Sequence, residues 1–185
     1  LYAVVGGVIG YATDMVAHDL PAGLKDFPRW IAQRVLSPAA ALHHEAVTLL
    51  AEDPTLSAAS PALHQSILGA IANGAVTAGA LAQRLRRPVP HLAPALTRLV
   101  SSGLVARHED PIRAQRPPYA VADPFLQFHY AILDPHRALL RERDPKETWT
   151  RQLSPLFHAR VRGPVFREQP RSWVGRHADP SSLGG

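Results

Sequence analysis

Three small groups of residues in this sequence have side chains that could do chemistry, and each fails on spacing. His43 and His44 adjoin Glu45 and suggest a metal site. Neighbouring positions of a helix point ~100° apart, however, so the three cannot converge on one ion. Solvated or capping histidines are the expectation. Ser101 and Ser102 have no base and orienting acid in a recognisable arrangement, so they read as polar residues at a helix end. His129 sits among aromatic residues and reads as a packed, hydrogen-bonded core side chain. Phe125, Phe128 and Tyr130 could stack nucleic-acid bases, but their helical spacing points to core packing. Cysteine is absent, which excludes disulfides, thiolate catalysis and thiolate metal ligands. No catalytic, cofactor-binding or metal-ligating residue is therefore expected.

What remains is arginine, and its distribution is uneven. Residues 84–116 hold seven arginines (84, 86, 87, 98, 107, 113 and 116) against Glu109 and Asp110, a balance of +5. From residue 137 onward ten basic residues oppose five acidic ones, again +5, and the rest of the chain has three against eight, or −5. A strongly basic stretch is the electrostatic footprint of a polyanionic partner. The acidic and basic parts are expected to face different partners.

The elements that would position these arginines can be read from periodicity. Residues 61–72 form a helix with Leu63, Ile67, Leu68 and Ile71 on one face, Ser60 as cap and Gly74 as stop. Thr77 caps a short second helix that runs to Leu85, and residues 86–89 make a turn. A third helix over 90–102 buries Leu92, Leu96, Leu99 and Val100, with Gly103 ending it. Pro94 lies inside this helix and should bend its first turn or delay its start. Strands are expected at 104–108 and 119–122, flanking an arginine-bearing loop. Three short helices followed by a two-stranded hairpin is the order of a winged helix-turn-helix.

On either side the pattern is helical. Residues 1–12 read as the end of a buried strand, a corner at Gly6 and Gly7, and a helix start. This opening lacks a basic leader and is too short to span a bilayer. Helices follow over 24–36 and 38–51, then a polar connection at 52–60. Residues 123–140 form an aromatic helix capped by Asp123 with Pro124 in its first turn. The fold class is mainly α: a helical segment at 1–52, the winged helix at 59–123, and a helical segment at 124–185.

Several phrases in this order resemble the C-terminal part of archaeal-type P-loop ATPases that carry the domain of unknown function numbered 234. They are YAVVGGVIGY (2–11), ILGAIANG (67–74), LTRLVSSGLVAR (96–107), PYAVADPFLQFHYAILDP (118–135) and VRGPVF (161–166). The resemblance implies an ATPase lid at 1–52, the winged helix, and the start of a restriction-nuclease-like domain. ATP and magnesium would belong to an upstream domain. No G-x-x-x-x-G-K-[ST] occurs in the chain, so it is not expected to hydrolyse ATP alone. Two positions depart from the family pattern: Ile9 replaces a proline, and Arg167 replaces the first of two acidic residues after Phe166. With Pro170 interrupting the following helix, the end reads as a truncated or decayed nuclease-like domain. The flanking helices, deprived of their family partners, should then have apolar residues that are partly exposed or met by self-association.

The expected function is duplex DNA binding by the winged helix, within an ATPase-like cytoplasmic protein and without membrane contact. The residues expected at the DNA are Arg86, Arg87, His91, Arg98, Arg113 and Arg116. Arg87, His91 and Arg98 would reach base edges and the last two would hold the backbone from the wing. The alternative is an interaction or regulatory module that docks on the ATPase domain, on another protein, or on a second copy of the chain.

Overall fold

The computed structural model describes residues 1–7, 10–11, 19–57, 60–107 and 118–166. At its centre are three helices: α5 (Pro61–Ala72), α6 (Ala78–Leu85) and α7 (Val89–Ser101). Before them come α1 (Tyr2–Val5), α2 (Phe27–Arg34), α3 (Leu42–Glu52) and α4 (Pro54–Ser57). Strands β1 (Val105–Arg107) and β2 (Tyr119–Val121) pair antiparallel, with Val105 opposite Val121 and Arg107 opposite Tyr119. Tyr119 N also donates to Val76 O (2.8 Å), tying the hairpin to the α5–α6 connection. Ile67, Leu68, Leu81, Leu92, Leu99 and Val105 bury their side chains between these elements. This is a winged helix-turn-helix in a mainly α protein.

Local chemistry explains most boundaries. Thr77 Oγ1 accepts from Ala80 N (3.2 Å) and opens α6. Ser60 stands before α5 but its hydroxyl makes no cap; its carbonyl accepts from Leu63 N and His64 N instead. Gly103, at φ 75°, closes α7 in the left-handed region open to glycine. Pro94 neither delays nor ends α7. It lies exposed in the helix, and the Pro90 carbonyl that it cannot serve belongs to the first turn.

Outside the winged helix the structure corrects several expectations. Residues 2–5 form α1 and not a strand, because no partner strand is at hand among the described residues and the amides of Val4 and Val5 close onto Leu1 O. Gly6 caps α1 at φ 65°, and an added Cβ would sit 3.4 Å from Asp123 Oδ2, so the tight corner is real. The connection at 52–60 contains the helical turn α4, opened by Asp53 Oδ1 accepting from Thr55 N (2.8 Å). His43 is buried, not solvated: Val35 O lies 3.1 Å from its Nε2, and since a carbonyl only accepts, Nε2 carries the proton.

The stretch from 124 onward is helical but changes pitch. It runs through α8 (Pro124–Phe128), a π turn (His129–Leu133), a 3₁₀ turn (Asp134–His136), α9 (Arg137–Glu142), α10 (Pro145–Thr148), a π turn (Trp149–Leu153), α11 (Ser154–Phe157) and a π turn (His158–Arg162). Each of these π turns is followed, two residues on, by a proline: Pro135, Pro155 and Pro164. A proline has no amide for the carbonyl four residues back, and its ring crowds that carbonyl. Widening the preceding turn relieves the conflict, as the amides of Asp134, Ser154 and Gly163 reach back five residues to His129, Trp149 and His158.

The flanking segments bury much of their apolar surface on one another, while Leu1, Tyr2, Leu20, Leu24, Val47 and Phe166 stay partly exposed. Phe27 packs against Trp30, Trp149 and Phe157 with centroids 5.7 to 5.9 Å apart, and Phe157 also meets Phe128 (6.0 Å). Offset and edge contacts of this kind add to the burial itself. α2 thus supplies the partner for the C-terminal helices, and one buried cluster extends from Ala3 through the winged helix to Val161. Among the described residues no helix is long and apolar enough to cross a membrane.

Candidate nucleic-acid interface

The outward side of the winged helix begins at the α6–α7 turn. Arg86 sits there at φ 52°, a left-handed conformation that costs a residue with a Cβ ~1–2 kcal/mol. The strain is offset by capping: the amides of Arg86 and Arg87 bond Gln83 O and Ala82 O and close α6. Arg84, Arg86 and Arg87 are thereby held exposed within four residues of one another. Arg87 borders a shallow depression of about 270 Å³ with Ala62, Leu63, Ser66 and Leu85.

The exposed positions of α7 are Val89, Pro90, His91, Ala93, Pro94, Thr97, Arg98 and Ser101. Few of them can read a base. Pro90 and Pro94 lack amides, and the Thr97 hydroxyl donates to Ala93 O (3.0 Å). His91 and Arg98 carry the long polar groups of this face. Arg98 also acts inward: His64, buried on α5, is held below the usual imidazole range first by burial and then by the Arg98 charge.

At the base of the wing, Arg107 places its guanidinium 5.4 Å over the Tyr119 ring that stands opposite it in the hairpin. This fixes one more cation before the wing loop. Arg113 and Arg116 lie outside the described residues. Among the described residues, none of Arg84, Arg86, Arg87, Arg98 and Arg107 is ion-paired with a carboxylate. Arg84 and Arg107 join this basic surface, beyond the residues that the sequence analysis expects at DNA. The last turn of α6 and the strand position next to the wing loop are the signals that point to them.

The other chemical candidates find structural roles. His44 is exposed, and Ser102 Oγ donates to Leu99 O (3.1 Å) at the end of α7. Phe125, Phe128 and Tyr130 are buried, so they form core and do not present a stacking platform. His129 is buried as expected, but its Nδ1 has no hydrogen-bond partner. Burial, then the charges of Arg137 and His43, push its pKa down to about 4. Among the described residues no group of three or more His, Asp or Glu side chains is placed to hold a metal ion.

The site and fold together define a winged helix-turn-helix whose basic corner has no carboxylate partner among the described residues. No family model matches the chain, and no curated protein does. Among solved structures it is similar to the zinc-dependent MarR family transcriptional regulator AdcR in its Zn(II)-bound state. The TM-score is 0.36 at 18% identity, over 71% of this chain and 90% of that one.

Proposed function

We propose that the winged helix binds duplex DNA, gripping the phosphate backbone more than it reads bases. The observation that carries this is the α6–α7 turn, where the strained Arg86 and its neighbours Arg84 and Arg87 stand exposed without acidic partners among the described residues. Phosphate contacts supply position and affinity, while specificity needs base-edge donors and acceptors. The face of α7 offers His91 and Arg98 for the second task and two prolines where donors would be useful. Arg87, in the turn beside Arg86, is assigned to the backbone contacts. Mobility shift of a short duplex at two salt concentrations tests the reading: binding that weakens steeply with salt, and differs little between sequences, is expected.

The apolar content of that same face supports a second reading. Val89 is exposed beside Pro90, Ala93 and Pro94, a surface that would suit a protein partner or a second copy of the chain. Salt-independent self-association seen by sedimentation, with no DNA binding, would favour it. The resemblance to archaeal-type ATPases supports placing either activity within a larger nucleotide-driven protein, which a P-loop encoded in frame upstream would test.

A further inference from the structure

The two basic stretches of the sequence are separated by the buried segment around α8, and nothing in their spacing says that they meet. In the fold both are tied to the end of α5 and the residues just after it. The π turn His158–Arg162 docks at the C-terminus of α5: Gln127 Nε2 donates both to Ala72 O (3.1 Å) and to Arg160 O (2.6 Å). The Arg160 guanidinium donates to Asn73 Oδ1, and Asn73 Nδ2 bonds Gly69 O (2.8 Å) and Tyr130 O (3.0 Å). Three residues beyond Asn73, Val76 O receives the amide of Tyr119, whose ring carries Arg107. Arg160 and the cation at the base of the wing are thus anchored to the same short segment, residues 73–76.

Arg160 and Arg162 are both exposed. Arg162 is steadied by the Phe166 ring, 5.6 Å from its guanidinium carbon, and lies 3.3 Å from His158 Nδ1. Neither arginine is ion-paired with a carboxylate among the described residues, although Arg151 in the same region is paired with Glu147 (2.9 Å). Two cations held in place by aromatic and amide groups, with no carboxylate paired to them among the described residues, are arranged for an anion from outside.

We propose that Arg160 and Arg162 extend the phosphate-binding face of the winged helix, so that a bound duplex is held from two sides of the wing base. The C-terminal helices are then part of the DNA interface and not only its support. The proposal rests on the DNA-binding reading above and adds a surface that a winged helix alone does not have. It also gives a reason for the shared sign of charge in the two stretches, each +5.

The test uses the full chain and a labelled duplex, with affinity measured across a salt series. Each phosphate contact contributes ~0.9 to the slope of log affinity against log salt. Arg162→Ala should lower the slope by ~0.9, and adding Arg160→Ala should bring the loss to nearly ~2. Arg160→Lys, which keeps the charge, should retain most of the slope. Thermal unfolding of each variant identifies any that fail to fold, and Arg162→Ala, which breaks no contact to α5, then decides alone. If Arg162→Ala and the double variant keep the full slope while Arg86→Gly/Arg87→Ala lowers it, the extension is wrong and the winged helix still binds DNA. If the unaltered chain does not bind duplex at all, both readings fall together.

Discussion

The α6–α7 corner and the seam between α3, α5 and the C-terminal helices are built from the same residue types and use them in opposite ways. At the corner Arg86, Arg87 and His91 are exposed and make no side-chain ion pair among the described residues. In the seam His43 donates to Val35 O, Arg137 reaches His43 O (3.3 Å) and also pairs with Asp134 (3.7 Å), and His129 is enclosed by aromatic and aliphatic side chains. Residue type therefore does not mark function here. What separates the two regions is burial: groups in the seam are enclosed by the fold, even where an atom such as His129 Nδ1 or Arg137 Nε finds no partner, while exposed ones are available to a ligand.

Substitutions on the two sides should separate stability from binding. The largest effect is expected at Phe157, which packs on Phe27, Trp149, Phe128 and His158. Phe157→Ala should cost roughly 3–5 kcal/mol in denaturant unfolding, the usual loss for a large buried aromatic. A loss below ~1 kcal/mol would show that the aromatic cluster does not hold the flank to the winged helix.

Acid should come next. The His129 pKa falls from 6.5 to about 4 in the folded protein, so between those values the unfolded chain binds the extra proton. The stability contributed by neutral His129 is full above pH 6.5 and is lost as pH falls through the window to about 4. Each tenfold change in proton affinity is worth ~1.4 kcal/mol, so the loss across this window approaches ~3 kcal/mol. His43, also held low by burial, acts in the same direction. Unfolding measured from pH 7 to pH 4 should show this slope, and His129→Phe should flatten it; an unchanged slope in that variant would place the acid sensitivity elsewhere.

A smaller effect is expected at the cap of α6. Thr77→Ala removes the bond to Ala80 N and should cost about 1 kcal/mol. Because α6 carries Arg84 and sets the turn, its duplex affinity should fall by only the fraction that unfolds. A loss of affinity with no loss of stability would mean that Thr77 itself meets the ligand.

Much of the winged helix is legible in the sequence because each of its elements carries its own punctuation: Thr77, Gly74 and Gly103 fall where caps and stops belong, and the leucines of α5 and α7 keep helical spacing. The flank is harder to read. The YAVV run suits a strand until the lack of a partner strand among the described residues is known, and the burial of His43 depends on a carbonyl eight residues away. The π turns are written in the sequence as prolines within helical patterns, but their meaning needs the pitch of the chain before them. For the candidate site, spacing places Arg86, His91 and Arg98 on exposed positions. It does not show that Arg160 docks on the Asn73 side chain at the end of α5, since that follows from long-range packing.

The most direct test of the account compares the unaltered chain with Arg86→Gly/Arg87→Ala in duplex binding across a salt series. Glycine suits the φ of 52° at position 86, so the double variant should fold as well as the parent. The account predicts that the slope of log affinity against log salt falls by ~2, equally for unrelated sequences. A double variant that binds duplex with unchanged affinity and unchanged slope would contradict it.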